Sequence, residues 1–291
     1  MINISKFGKR MIKKITGKAI IHAILIITSL LSIFPFIWLT STSLKGVKED
    51  IFAYPPSFIP TDFTFANYVD VWARVDFMAY FWNSVIVAAL TVILNLVLSS
   101  LAAYPLARMQ FRGKKFAFFA ILATIMIPFQ TIMLPVYIIT LKLHLTDSVN
   151  NIMGYIGLVM PFAVSAFGIF LMRQAFLKIP REVEEAAIVD GCNVFQMFTR
   201  VVIPMVKPTL AVLAVFTFIG SWGEFLWPSI MLTKESMYTL PVGINNLQGM
   251  FSANWRFIAA GSIISTIPII IFFLAMQRYF ISGENEGAVK G

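Results

Sequence analysis

Six apolar runs alternate with shorter polar stretches along the chain, at about residues 19–39, 80–107, 116–140, 151–172, 208–232 and 256–280. Each is long enough to be read as a membrane-crossing helix, because a hydrocarbon core about 30 Å thick needs roughly 20 apolar residues. The pattern therefore predicts an all-α integral membrane protein with six transmembrane helices. A signal peptide is the competing reading of the first run. The apolar region of such a peptide is usually about 7 to 15 residues long, and this run exceeds that and lacks a small-x-small cleavage pattern at its end. Residues 45–79 combine polar side chains with Pro55, Pro56, Pro60 and several aromatics, the make-up of an ordered loop lying against the membrane. In the last connection, residues 233–255, Pro241, Gly243 and Gly249 are expected to break any long helix.

Composition agrees with lipid as the solvent: 58% of the 291 residues are hydrophobic, 13% are charged, and the mean hydropathy is +0.82. The net charge of +9 raises the question of a nucleic-acid partner, and its distribution answers it. Lys and Arg number six in residues 1–18, four in the link 108–115, five in 173–207 and two from Arg278 onward, so 17 of the 23 fall on one side of a six-span chain. By the positive-inside rule that side is the cytoplasm, with both termini in it, and the basic balance needs no nucleic acid. The predicted organisation is a basic cytoplasmic N-terminus over 1–18, a transmembrane domain over 19–281 and a cytoplasmic tail over 282–291. Cys192 is the single cysteine and there are two histidines, which leaves no internal disulfide and no evident metal cluster.

One polar stretch, residues 173–207, interrupts the apolar pattern between the fourth and fifth runs. Pro180 suits a helix start, and Glu182, Glu184 and Glu185 complement the positive end of its dipole. Gly191 offers the left-handed conformation that stops a helix. Asn193 with Gln196 has the spacing of a capping box opening a second helix, limited by Pro204 and Pro208. The prediction is helix, glycine turn, helix.

Glu185-Ala186-Ala187, three residues, Gly191, nine residues and then Val201-Val202-Ile203-Pro204 resembles the EAA loop of importer-type ATP-binding-cassette permeases. The resemblance extends over essentially the whole chain and is nearest to the carbohydrate-uptake permeases of the maltose-importer type. It implies a bacterial inner-membrane permease subunit whose loop is a cytoplasmic coupling helix. The implied contact residues toward a separate ATPase are Glu184, Glu185, Ala186, Ala187, Asp190, Gly191 and Pro204. The implied partners are a second permease subunit, two ATPase subunits and an extracytoplasmic sugar-binding protein. ATP and Mg would be bound by the ATPase chains, and no cofactor by this one. Ser221-Trp222-Gly223-Glu224-Phe225-Leu226-Trp227-Pro228 resembles a family stretch in which Asn is commoner at the position of Gly223. Two readings of it stay open. Glu224, Trp222 and Trp227 line a sugar path, or Glu224 is a hydrogen-bonded strut. The ending Gly287-Ala288-Val289-Lys290-Gly291 resembles the family's C-terminus and implies a tail contact with the ATPase through Ala288, Val289 and Lys290.

The chain carries no phosphate-binding loop, since its Gly-Lys pairs lack both the leading glycine and the following hydroxyl residue. An ion-coupled secondary transporter is the alternative, but such carriers place ionisable groups within their spans, and Glu224 stands nearly alone there. An intramembrane hydrolase has still less support, with neither His-Glu-x-x-His nor Gly-x-Ser-x-Gly present. Asn95, Ser99, Ser100 and Tyr104 lie at helical spacing and suit either a pore stripe or bonds between helices.

Overall fold

A computed structural model describes residues 4–247 and 254–285. The proposed tail residues Ala288, Val289 and Lys290, and Gly249, lie outside them. Among the described residues the fold is helical without strands: α1 (Ile4–Ser43), α2 (Ala66–Arg74), α3 (Phe77–Arg108), α4 (Lys114–Ala123), α5 (Phe129–Lys142), α6 (Asn151–Val159) and α7 (Ala166–Lys178) come first. After them come α8 (Arg181–Val189), α9 (Val194–Gln196), α10 (Ile203–Met205), α11 (Lys207–Trp222), α12 (Leu226–Met231), α13 (Leu240–Asn246) and α14 (Trp255–Asn285). Ile20–Ser43, Phe77–Arg108 and Trp255–Tyr279 are each long and apolar enough to cross a membrane, and the total reaches six when three bent helix pairs are each counted as one span.

Two of those bends fall inside apolar runs, the third and the fourth. Lys114–Met126 meets Phe129–Lys142 at 100°, because Pro128 forces Ile127 into extended backbone (φ −92°, ψ 109°) and then caps α5 itself. Asn151–Phe162 meets Ala166–Lys178 at 57°, across an extended Ser165 whose hydroxyl accepts the Gly168 N–H and starts α7. The fourth apolar segment then runs on as helix to Lys178 rather than stopping near Met172. In the fifth, α11 ends at Trp222 with Gly223 capping it, and α12 begins at Leu226. Sixteen residues of α11 rise about 24 Å, short of the ~30 Å core, so α11 alone does not complete a span. Residues 240–246 form a short helix, with Pro241 inside its first turn, where a missing N–H starts a helix instead of breaking it.

The chain divides into two compact units. The first holds the chain through Ala73 and the segment ending at Ile264. In α1 the stretch Ile20–Ile37 is exposed throughout, as lipid or partner contact requires, while Ser41, Thr42 and Ser43 at its end are buried. After α1, Lys45 is fully buried, with its ammonium donating to the Ser57 carbonyl at 2.7 Å and lying 3.3 Å from the Glu49 carboxylate. Glu49 accepts the backbone N–H groups of Thr61 (2.7 Å) and Asp62 (3.1 Å). Around this charged centre, Val47, Phe52, Tyr54 and Ile59 face outward.

The second unit holds Arg74–Leu247 and the chain from Ser265. Its axis is α3, which packs along α7 and α11. Val87, Ala88, Thr91, Asn95, Ser99, Ala103, Tyr104 and Ala107 recur at three- and four-residue steps and are buried. One apolar cluster joins the end of α3 to Met172, Phe176, Ala187, Met197, Val202 and Leu213. A second joins Val87 to Leu158, Trp227, Met231 and Met237.

Candidate functional site

Two features of the second unit carry chemistry: a cavity beside the middle of α3, and the helical elbow between α7 and α11. The cavity measures about 520 Å³. Thr91 and Asn95 from α3, Ser165, and Thr217, Ser221 and Glu224 from the end of α11 give it polar walls, and side chains such as Phe162 and Phe216 complete it. Glu224 is the only carboxylate among its lining residues, which include no Lys, Arg or His. One oxygen of Glu224 accepts the Trp227 N–H at 3.1 Å, so the same side chain faces the cavity and holds the start of α12. Both readings of Glu224 thus find an observation. Asn95 donates to the Phe162 carbonyl at 3.1 Å and accepts from Ser99 and Ser165, each at 3.3 Å, while Tyr104 donates to Met197 Sδ at 3.4 Å. Two residues of the polar stripe, Asn95 and Tyr104, thus bond to other elements, Ser99 bonds within α3, the buried Ser100 hydroxyl has no partner among the described residues, and Asn95 also reaches the cavity.

The two tryptophans do not offer free faces there, which corrects the expectation that they line a sugar path. Trp222 is 2% exposed, stacks on Phe218, and donates its indole N–H to the Ser265 carbonyl at 2.9 Å. Trp227 is 1% exposed, meets the edge of Phe129, and donates to the Gly157 carbonyl at 3.2 Å. An indole that is buried needs a partner for its single donor, and both have found one in a neighbouring backbone.

At the elbow the predicted glycine turn is present. Gly191 has φ +80°, its N–H bonds to the Ile188 carbonyl at 3.0 Å, and the Cys192 N–H bonds back to Ala187 at 2.9 Å. These two bonds are the Schellman pattern that satisfies the last carbonyls of a helix. Asn193 and Gln196 form the reciprocal capping box, at 2.9 and 3.0 Å. Helix α8 itself begins at Arg181, with Pro180 as the capping residue just before it. Between α9 and α10 the chain widens into a π-helical turn over Met197–Val202, next to Pro204, whose ring would otherwise meet the carbonyl four residues earlier. Val194–Met205 then meets α11 at 78°.

Burial sorts the residues named for contact with an ATPase. Glu185, Ala186, Asp190, Gly191 and Pro204 are exposed. Ala187 is 5% exposed and packs in the apolar cluster, and Glu184 is turned toward Arg108 at 2.8 Å; these two face the protein, contrary to the expected outward face. A nine-residue helix with acidic residues on three of its positions gives no clear apolar phase from which to read that rotation. Ile188, Val189, Val194 and Phe195 stand 57–86% exposed on either side of Gly191, and no motif had singled them out. Arg108, the first residue of the basic link 108–115, ends α3, and a helix C-terminus favours a cation there.

Residues 233–240 are clasped to the start of α3 and to the turn before α6. Buried Asp147 accepts the N–H groups of Thr233 and Lys234, each at 2.7 Å. Asn83 donates to the carbonyls of Ser236 (2.8 Å) and Tyr238 (3.0 Å), and Ser84 accepts from Leu240 N at 2.7 Å. Among the described residues no group of His, Cys, Asp and Glu suits a metal ion.

Residues 95–283 match the family described as binding-protein-dependent transport system inner membrane component. The chain is 36% identical over 265 residues to the arabinooligosaccharides transport system permease protein AraQ of Bacillus subtilis (strain 168), covering 90% of this chain and 92% of that protein. It is 31% identical over 273 residues to the lactose transport system permease protein LacG of Rhizobium radiobacter, with 92% and 95% covered. Among solved structures it is similar to a chain of a bacterial ABC transporter involved in the import of the acidic polysaccharide alginate. There the TM-score is 0.77 and the identity 28%, with 92% of this chain and 97% of that chain covered.

Proposed function

The chain belongs to the family of binding-protein-dependent transport system inner membrane components, and on that premise we propose that it is the sugar or oligosaccharide permease subunit of an ATP-driven importer. In this reading it forms one half of the translocation path and takes its driving force from separate ATPase subunits through the elbow at Gly191. The family match leaves the ion-coupled carrier without support. Relatives that carry arabinooligosaccharides and lactose point to a saccharide cargo.

The observation that carries the coupling reading is the exposed tip of the elbow. Ile188 and Val189 before Gly191, and Val194 and Phe195 after it, are apolar and outward, on a segment that also carries Glu185, Asp190 and Arg200 and is too polar for lipid. An apolar patch with a charged rim suits a groove on a soluble protein. A second permease and an extracytoplasmic binding protein complete the assembly, with the 520 Å³ cavity and Glu224 on this subunit's side of the path. The test is affinity purification of this chain from its native membrane with mass spectrometry of what accompanies it. An ATPase subunit and a second permease are expected, and Phe195→Asp with Val189→Asp should release the ATPase while the permeases stay paired. Recovery without any ATPase would refute the reading.

A further inference from the structure

We infer that Arg108 and Glu184 are positioning residues that lock the elbow to α3, so that movement of α8 is delivered to the helix whose Thr91 and Asn95 wall the cavity. The inference rests on the proposed coupling role of the elbow and adds the load path from it.

Arg108 is the last residue of α3, and its two contacts reach α8 and the turn before it. Its Nη2 donates to the Ile179 carbonyl at 2.6 Å, in the turn that leads into α8, and its Nε lies 2.8 Å from Glu184 Oε1 on α8 itself. The first is an aligned hydrogen bond and the second a charge contact. Both side chains are largely withdrawn from solvent, at 9% and 16% exposure, so water screens the pair weakly. Separating such a pair leaves a charge in a poorly solvated place, and the two elements are therefore held to move together. Ala187, Val183 and Cys192 also pack on the core, but apolar contact is non-directional and permits sliding, whereas the aligned bond from Arg108 to the Ile179 carbonyl is directional and the Glu184 charge beside it opposes separation.

The end of α3 is itself prepared to bear load. A helix C-terminus leaves its last carbonyls without partners. Here Arg173 donates to Leu106 O at 3.0 Å, and Lys114 donates to Ala107 O at 3.1 Å and Met109 O at 2.8 Å. Those cations come from α7 and α4, and Arg108 alone among them reaches α8. From Arg108 to Asn95 is thirteen residues of one continuous helix, about 20 Å, which ends at the cavity wall.

The experiment uses the whole transporter, recovered through a tag on the ATPase subunit so that only assembled complexes are counted. The chain carries Cys192→Ser and Thr217→Cys, which puts a reporter thiol in the cavity. Its labelling by a membrane-impermeant maleimide is followed in proteoliposomes with and without ATP, Mg²⁺ and vanadate. Arg108→Gln and Glu184→Gln should each reduce the nucleotide-dependent change in labelling at least fivefold per recovered complex. The swap Arg108→Glu with Glu184→Arg restores the charge contact but not the bond to the Ile179 carbonyl, so it should recover part of the response, which a merely local packing role would not do. A full nucleotide response in both single variants would overturn the lock while leaving the elbow's docking role intact. Failure of both singles and of the swap to enter any complex would also overturn it, making the pair a folding strut. Absence of the ATPase from the parent complex would sink the coupling reading itself, and is distinguishable because it precedes any substitution.

Discussion

At the scale of single residues, Gly191 and Gly243 need glycine for different reasons. A side chain at Gly243 would place its Cβ 2.1 Å from the Tyr80 ring, so the obstacle is steric. At Gly191 nothing lies within 4 Å of that position, and the obstacle is the backbone conformation alone, φ +80°. A non-glycine residue there costs about 1–2 kcal/mol, most for a β-branched one and least for Asn. Since the cost is confined to the backbone, it can be relieved by tilting α8 rather than by unfolding. Gly191→Val is therefore expected to leave the chain expressed and paired with its partner permease. Co-purification of the ATPase should fall several-fold and sugar-stimulated hydrolysis should be lost, while Gly191→Asn keeps part of both. Full ATPase retention and stimulation by Gly191→Val, measured on the purified complex, would refute this account of the turn.

At the scale of elements, the connection between α1 and α2 is held by charges turned inward. Burial raises the Glu49 carboxyl, but the Ser57 hydroxyl, the N–H groups of Asp62 and Thr61 and the Lys45 ammonium outweigh it, and the group is lowered from 4.5 to about 2. A carboxylate whose folded value lies below its unfolded one contributes stability that is complete above about 4.5 and disappears as pH falls through about 2. Glu49→Gln removes that contribution. Pepsin cleavage within residues 44–65 should be faster in Glu49→Gln than in the parent above pH 4.5, and the two rates should converge as the pH approaches about 2. Equal cleavage at all pH values would show that the carboxylate does not hold the loop. The Lys45–Glu49 spacing of four is local, but the rest of this network was not legible in the sequence, because Ser57, Thr61 and Asp62 sit 8 to 13 residues from Glu49 in a stretch without periodicity. Local chemistry was legible: the glycine stop, the capping box and the six apolar runs all follow from neighbours in the chain. Hydropathy averaged over a whole run cannot register the bends at Pro128 and Ser165. The tryptophans misled for a related reason, since Trp222 and Trp227 find their acceptors, the carbonyls of Ser265 and Gly157, 43 and 70 residues away.

At the scale of the whole molecule, direction of transport depends on which compartment each loop meets. Seventeen of 23 Lys and Arg fall in the segments 1–18, 108–115, 173–207 and 278–291, and by the positive-inside rule that bias predicts a cytoplasmic place for those segments. The coupling proposal independently needs 173–207 there, because the ATPase chains it invokes would bind ATP on that side. Single cysteines in a Cys192→Ser background separate the two compartments. Arg112 is exposed in the basic link, and its replacement avoids the left-handed backbone of the neighbouring Gly113 (φ +85°). Tyr54 is 95% exposed in the first long connection, and Asn246 is exposed at the end of α13. In sealed right-side-out vesicles, an impermeant maleimide should label Tyr54→Cys and Asn246→Cys, and should label Arg112→Cys only after the membrane is opened. In inverted vesicles the pattern should reverse. Labelling of Arg112→Cys from outside would place the elbow at Gly191 away from ATP, since an even number of spans separates the two loops in the six-span chain. The exposed apolar tip of Ile188, Val189, Val194 and Phe195 would then face the extracytoplasmic binding protein, and the force that opens the cavity would have to enter the molecule elsewhere.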